Sequence, residues 1–100
     1  MIIGDNTIVG HGAVLHCSKI GNHVLIGNNA TVLDNAEIGD FCMIAAGSVV
    51  APNTKFPSES LALGVPAQLK GTLSQNQKDY ITFGAVFNIE LAQQYKKQGL

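Results

Sequence analysis

The sequence has 100 residues, of which 46% are hydrophobic and 13% are charged, and its formal net charge is −1. A chain of this length suits a single domain. Because a nucleic-acid surface needs clustered Lys and Arg against the phosphates, this charge balance disfavours a nucleic-acid partner. The sequence contains no apolar run of about eighteen residues, so it predicts no membrane span.

A repeat of six residues organises the chain from Ile3 to about Thr54. An aliphatic residue opens each hexad, and glycine often follows it. The aliphatic positions are Ile3, Val9, Leu15, Ile20, Ile26, Val32, Ile38, Ile44 and Val50, with one five-residue step after Leu15. Neither an ordinary strand nor a helix has this period. A six-residue period predicts short strands that each end in a corner and stack as an all-β, parallel β-helix.

Three hexads per coil would place these aliphatic residues in three inward columns. The columns are Ile3/Ile20/Ile38, Val9/Ile26/Ile44 and Leu15/Val32/Val50. Each column holds only β-branched residues or Leu, as the dry centre of a narrow prism requires. The third and fourth hexad positions are mostly polar, which fits corners with left-handed backbone angles. The chain therefore holds about three coils, whose first apolar layer needs a cap or a partner.

The hexad pattern decays after Val50, and three segments are predicted: a repeat domain over residues 1–56, an extended connector over 57–73 and a C-terminal α-helix over 74–98. Ser74 and Gln77 have the spacing of a capping box at the start of this helix. An apolar stripe follows at helical steps. Its members are Tyr80, Phe83, Phe87, Leu91 and Tyr95. We expect this stripe to pack on the prism or on a neighbouring subunit.

The two cysteines, Cys17 and Cys42, occupy different positions of the repeat and would not stack on each other. They are interpreted as free thiols in a reducing compartment. The sequence also shows no charged-then-apolar leader. Both observations favour a cytoplasmic location.

Two histidines carry the main chemical signal. His16 takes a position where this repeat prefers glycine, so the fold itself does not require it, and His11 lies at a polar outward position. One interpretation is a pair of surface histidines near a corner. The other is a pair of metal ligands, because neutral imidazole is a common ligand for zinc and related ions.

The spacing of the two histidines limits how they could bind one ion. Five extended residues span roughly 15 Å, and a corner between them leaves the rings on different faces. One chain therefore cannot easily close both imidazoles on one ion. A threefold oligomer could, by setting the His11 edge of one prism against the His16 edge of the next. Cys17, beside His16, is a candidate extra ligand or a packing residue.

Several motifs resemble those of gamma-class carbonic anhydrase-like proteins, over essentially the whole chain. They are Gly10-His11 followed by His16, and the segments 20–27, 32–36, 45–50 and 63–67. The resemblance implies a left-handed β-helix that forms a homotrimer, with a metal (zinc, iron or cobalt) held by three histidines between subunits. It implies carbon dioxide or bicarbonate as the substrate. In this resemblance His11 matches the second metal ligand and His16 the third.

The first histidine of that family has no counterpart here, because it lies well upstream of the pair and only ten residues precede His11. His23 falls on the next face and cannot replace it. A catalytic zinc usually has three protein ligands and an open position. We therefore expect an incomplete metal site with low occupancy and weak or no carbon dioxide hydration, and no catalytic residue is assigned.

Two alternatives remain open. Hexapeptide-repeat acyltransferases use a histidine as general base, with acyl-CoA between prisms, and His16 or His23 could serve in this way. However, the coils are nearly uninterrupted and offer no acceptor-binding loop. The second alternative is a non-catalytic trimeric assembly module whose helix and open first coil bind a partner.

Overall fold

The structure is a computed structural model that describes residues 1–16 and 18–84. Within these residues the chain forms twelve short β-strands and the start of one helix, α1, which runs from residue 75 to residue 84. The strands are β1 (Ile2–Ile3), β2 (Ile8–Val9), β3 (Val14–Leu15), β4 (Lys19–Ile20), β5 (Leu25–Ile26), β6 (Thr31–Val32), β7 (Glu37–Ile38), β8 (Met43–Ile44), β9 (Val49–Val50), β10 (Lys55–Phe56), β11 (Ser60–Gly64) and β12 (Ala67–Thr72).

The strands form three faces of a prism. Face A has the order β1-β4-β7-β10, face B the order β2-β5-β8-β11 with β12 added beyond β11, and face C the order β3-β6-β9. Successive strands of the coils therefore lie on successive faces, and all neighbours within the coils are parallel. The predicted parallel β-helix of about three coils with one helix after it is confirmed.

The strand register confirms the three inward columns. Ile3 pairs with Ile20 and Ile20 with Ile38 on face A. The pairs Val9–Ile26 and Ile26–Ile44 follow on face B, and Leu15–Val32 and Val32–Val50 on face C. From the second coil onward these side chains are almost fully buried: Ile20, Ile26, Val32, Ile44 and Val50 are at most 1% exposed. The small fifth-position residues Ala30, Ala36, Cys42 and Ser48 are also buried, so each hexad sends two side chains inward.

The first coil is much more exposed than the others. Ile3 and Val9 belong to inward columns, yet 45% and 42% of their surface is accessible. The reason is topological, because β1, β2 and β3 are the terminal strands of their faces in this chain. The apolar layer that the sequence predicts to need a cover is thus open.

The corners adopt the left-handed backbone angles that the polar hexad positions predict. Among the described residues, seven other than glycine have positive φ: Asn6, His23, Asn29, Asn35, Phe41, Asn53 and Glu59. Asparagine dominates because its short polar side chain tolerates this region better than most. Glycine has a different role where the chain leaves a strand. A Cβ at Gly27 would lie 2.5 Å from the backbone nitrogen of Ala46 in the coil above, so the stacking distance excludes a side chain there.

The segment 57–73 is not a simple connector. Strand β11 adds to face B by pairing with β8, and β12 returns antiparallel to β11 through a turn with a cis Val65–Pro66 bond. A hairpin therefore closes the C-terminal end of the prism. The hexad period predicts neither this return strand nor its pairing.

Helix α1 begins with the predicted capping box. The Ser74 hydroxyl accepts the backbone N–H of Gln77 at 3.2 Å, and the Gln77 side-chain oxygen accepts the N–H of Ser74 at 2.8 Å. These two reciprocal hydrogen bonds satisfy two of the backbone donors that a helix start otherwise leaves without partners. The helix lies beside face B, where Gly84 approaches the Ile8 side chain.

The first two members of the predicted apolar stripe are not buried within the chain, and their packing on a neighbouring subunit stays a prediction. Tyr80 and Phe83 are 67% and 69% exposed, whereas Ile81 is fully buried. The helix docks through Ile81 and presents the small Gly84 to face B, while Tyr80 lines a surface pocket beside the strands of that face. The remaining stripe residues (Phe87, Leu91 and Tyr95) and the predicted helix end near residue 98 lie outside the described residues.

Cys42 is a free, buried thiol, as predicted. Burial raises the pKa of the Cys42 thiol, and its sulfur lies 3.1 Å from the carbonyl oxygen of Pro57. Cys17 lies outside the described residues. Within residues 1–16 and 18–84, no helix has the length and apolar character needed to cross a membrane.

Candidate functional site

His11 and His16 stand at the two edges of face C, on the first coil. His11 follows β2, at the corner between faces B and C, and His16 follows β3, at the corner between faces C and A. The short strand Val14–Leu15 separates them. A single chain therefore places the two imidazoles at different corners, as the spacing predicts.

His11 is anchored through its backbone. Its N–H donates to the side-chain oxygen of Asn28 at 2.8 Å, and its carbonyl oxygen accepts the N–H of Asn29 at 2.8 Å. The residue is exposed, and its ring has no hydrogen-bond partner among the described residues. The ring therefore lies on the surface of the prism.

His16 makes a side-chain contact with the next coil that the hexad pattern does not predict. Its ring nitrogen Nδ1 is hydrogen-bonded to the carboxylate of Asp34, one coil further along. The two side chains are 63% and 52% exposed, so the pair lies on the surface. Because Nδ1 is committed to Asp34, Nε2 is the ring nitrogen that remains available to a ligand.

Asp34 lies at a corner of the prism, and its carboxylate is the partner of His16. The equivalent residues at other corners serve the backbone: Asn22 and Asp40 accept N–H groups of the coil below at 2.7 and 2.8 Å. A coil here is 17 or 18 residues long, and Asp34 follows His16 by 18. The residue one coil length after each histidine is a candidate contact, and this rule could have identified Asp34 from the sequence.

His23 lies at the corner between faces A and B, away from both candidate ligands. It is a corner residue with positive φ, but it is not fully solvated. The ring is half-buried and stacks on Phe41 with centroids 4.6 Å apart and an interplanar angle of 14°. The cause is the positive φ of both residues, which repeats the corner geometry from coil to coil and sets one ring over the other.

The donor chemistry of His11 and His16 fits a divalent metal such as zinc, but the number of donors in one chain does not. No group of three or more His, Cys, Asp or Glu side chains with metal-binding geometry occurs in residues 1–16 and 18–84. Asp34 gives His16 the carboxylate partner that metal-binding histidines commonly have. The described residues of one chain therefore do not complete a metal site by themselves.

The three faces differ in what covers them. Face A carries the outward residues Lys19, Glu37 and Lys55, with Lys55 3.5 Å from Glu37, so it suits solvent. Face B is flanked by α1. Face C carries Val14, Thr31 and Val49 outward, and Val14 is 53% exposed. Strand β12 lies near β9, the last strand of face C.

Comparison with known proteins agrees with the repeat architecture. Residues 17–52 match the family model described as bacterial transferase hexapeptide (six repeats). The chain is a hexapeptide-repeat protein. Its solenoid superposes on the structure of a Bacillus cereus protein, provisionally described as an acetyltransferase, with a TM-score of 0.90 and 30% identity, over 96% of this chain and 62% of that one.

Curated relatives of this hexapeptide-repeat protein confirm the resemblance to gamma-class carbonic anhydrases. It is 39% identical over 92 residues to gamma carbonic anhydrase 2, mitochondrial, of Arabidopsis thaliana, which covers 92% of this chain and 33% of the relative. It is 36% identical over 76 residues to the carnitine operon protein CaiE of Escherichia coli strain K12, covering 76% of this chain and 39% of CaiE. The chain thus spans between a third and two fifths of the length of these relatives.

Proposed function

We propose that this hexapeptide-repeat protein is a homotrimeric, gamma-carbonic-anhydrase-like protein with a metal site between its subunits. His11 of one copy and His16 of the next would hold zinc, iron or cobalt. The observation that carries the proposal is the His16–Asp34 hydrogen bond, which leaves Nε2 as the accessible nitrogen on an exposed corner. The similarity to the Arabidopsis carbonic anhydrase supports it.

The faces of the prism support a trimer with face C turned inward. Three prisms arranged in this way around a threefold axis would each abut the next at a corner, the B–C corner of one against the C–A corner of its neighbour. Those are the corners that carry His11 and His16. The arrangement would also bury Val14 and Val49, outward apolar residues that α1 does not flank.

The residues of the site determine what chemistry it can perform. A bound metal ion would supply a Lewis acid that activates water toward carbon dioxide. His11 and His16 would hold that ion at the contact between two prisms. Since catalytic zinc usually has three protein ligands, two imidazoles would bind it weakly. We therefore propose low metal occupancy and weak or no hydration of carbon dioxide.

A cytoplasmic location is part of the proposal. The free thiol of Cys42 supports it, because structural thiols stay reduced in that compartment.

A mixing experiment tests whether the site spans two chains. His11→Ala and His16→Ala chains are refolded together at equal concentration, and bound zinc is measured at a fixed free zinc concentration. Each variant alone should bind little zinc. In the statistical mixture, about one quarter of the interfaces combine an intact His11 with an intact His16 from the neighbour, so about one quarter of the wild-type zinc should return.

The matched control dilutes wild-type chains with an equal amount of the double variant His11→Ala/His16→Ala. Sites that span two chains fall to about one quarter of the wild-type number, whereas sites within one chain fall only to about one half. Recovery of no zinc in the first mixture, together with half in the second, would contradict a shared site.

The same histidine–aspartate pair favours acyl transfer as a second candidate function. A histidine oriented by a carboxylate is the general-base arrangement that activates a hydroxyl or amine acceptor. The similarity to the Bacillus cereus protein, provisionally described as an acetyltransferase, is consistent with this chemistry. Calorimetric measurement of acetyl-CoA binding, made without added metal, distinguishes the two candidates. If acetyl-CoA still binds after zinc is chelated, the result supports acyl transfer. If acetyl-CoA does not bind, the metal site is the remaining candidate.

A further inference from the structure

The contact between His16 and Asp34 joins two successive coils on the surface of the prism. The residues are 18 positions apart in the sequence, and the ring nitrogen Nδ1 faces the carboxylate oxygen Oδ1. An ionised carboxylate can only accept hydrogen bonds, so Nδ1 must carry the proton in this pair. In a neutral ring Nε2 is then the unprotonated nitrogen.

We propose that Asp34 is a positioning residue that holds neutral His16 in the Nδ1–H form, with Nε2 free to bind a metal. A neutral imidazole can carry its proton on either nitrogen, and the hydrogen bond made by one nitrogen decides which one is left to coordinate. The Asp34 bond also limits rotation of an exposed side chain. The tautomer part stands on the observed contact alone, and the metal part rests on the proposed function.

A purely architectural role is the alternative for Asp34. Asn28 occupies the equivalent position at another corner, and its side-chain oxygen accepts the backbone N–H of His11. A substitution at Asp34 could therefore weaken the corner without any effect on the chemistry of His16. The test needs a measurement that reports the ring itself.

Nitrogen NMR of histidine-labelled, metal-free protein at about pH 8 reports which nitrogen of each ring is protonated. Wild-type His16 should show one protonated Nδ1 and one unprotonated Nε2, while His11 serves as an internal reference in the same spectrum. Asp34→Ala should release His16 to averaged shifts from both forms. Asp34→Asn keeps an acceptor oxygen and should preserve part of the Nδ1–H population.

The control variant is Asp5→Ala, which removes an exposed carboxylate from another corner of the first coil. It should leave the His16 spectrum unchanged. A His16 spectrum that is also unchanged in Asp34→Ala, in a protein with wild-type urea stability, would overturn the proposal. So would a wild-type spectrum with the proton on Nε2.

Zinc affinity, measured by competition with a chromophoric chelator, tests the metal part separately. Loss of a carboxylate partner typically lowers metal affinity by about 10–100-fold, so Asp34→Ala should weaken binding by that factor while Asp5→Ala does not. If the wild type binds no zinc, the proposed metal function fails, and the NMR result alone decides whether Asp34 positions His16. If the wild type binds zinc and Asp34→Ala binds it equally well, the positioning role toward metal is overturned.

Discussion

Substitution of Ile26 by aspartate should abolish folding, whereas the same substitution at Ile2 should be tolerated. Ile26 is 0% exposed and stacks between Val9 and Ile44, and Ile2 is 62% exposed on face A. Truncation of a fully buried isoleucine to alanine costs about 2–5 kcal/mol. A carboxylate at this site adds a buried charge with no partner, so the total would exceed the roughly 5–15 kcal/mol that stabilises a typical domain.

Urea unfolding at fixed protein concentration measures the graded series. Ile26→Val should cost about 1 kcal/mol, Ile26→Ala about 3 kcal/mol, and Ile26→Asp should give no cooperative transition. Ile2→Asp should stay within about 0.5 kcal/mol of the wild type, because the carboxylate would lie beside Lys19, its register partner.

Two outcomes would refute this account of the prism. One is a soluble Ile26→Asp protein with an unchanged urea midpoint. The other is an Ile2→Asp protein as disrupted as Ile26→Asp, because it would mean that the register is shifted by one residue and Ile2 points inward.

Three further predictions test other parts of the fold. Gly27→Ala should lower the free energy of unfolding by about 1–3 kcal/mol through its clash with the next coil, while Gly71→Ala, with open space around the new Cβ, should stay within about 0.5 kcal/mol in the same urea assay. Ser74→Ala should weaken the start of α1 by about 1 kcal/mol, seen as roughly fivefold faster hydrogen exchange in its first turn, and unchanged exchange would contradict the capping role. In a Cys17→Ser background, Cys42 should react with iodoacetamide only after urea is added, because burial raises the pKa of its thiol; rapid labelling of the native protein would contradict its burial.

The repeat could be predicted from the sequence because one physical requirement recurs nine times. Every hexad needs an aliphatic residue toward the axis, and the observed columns through Ile20, Ile26 and Val32 follow from that requirement alone. The corner angles follow as well, because asparagine tolerates positive φ at the fourth position. Local preference and stacking point to the same structure throughout this region.

The C-terminal part was harder to predict, because its contacts are not periodic. The β11–β12 hairpin contains an antiparallel pairing that the hexad period does not include. The docking face of α1 depends on shape. Ile81 and Gly84 fit against the prism, although the sequence pattern favours Tyr80 and Phe83. Hydrophobicity alone does not distinguish a helix face that packs within the chain from one that stays exposed.

The candidate site could also be predicted only in part. His11 and His16 stand out in the sequence because His16 replaces a glycine of the repeat. Asp34 does not stand out in the sequence, because acidic residues are common at the third position of a hexad. Its role emerges only when coils are stacked, since the stacking places it beside His16.

Metal content per chain, measured together with the mass of the purified protein in solution, tests the central claim most directly. The account predicts a trimer that contains zinc, iron or cobalt below one ion per chain, with equal losses in His11→Ala and His16→Ala. A trimer without metal, or a metal content that only one of the two substitutions lowers, would contradict a site built from both histidines. A monomer that still binds metal would contradict the shared interface.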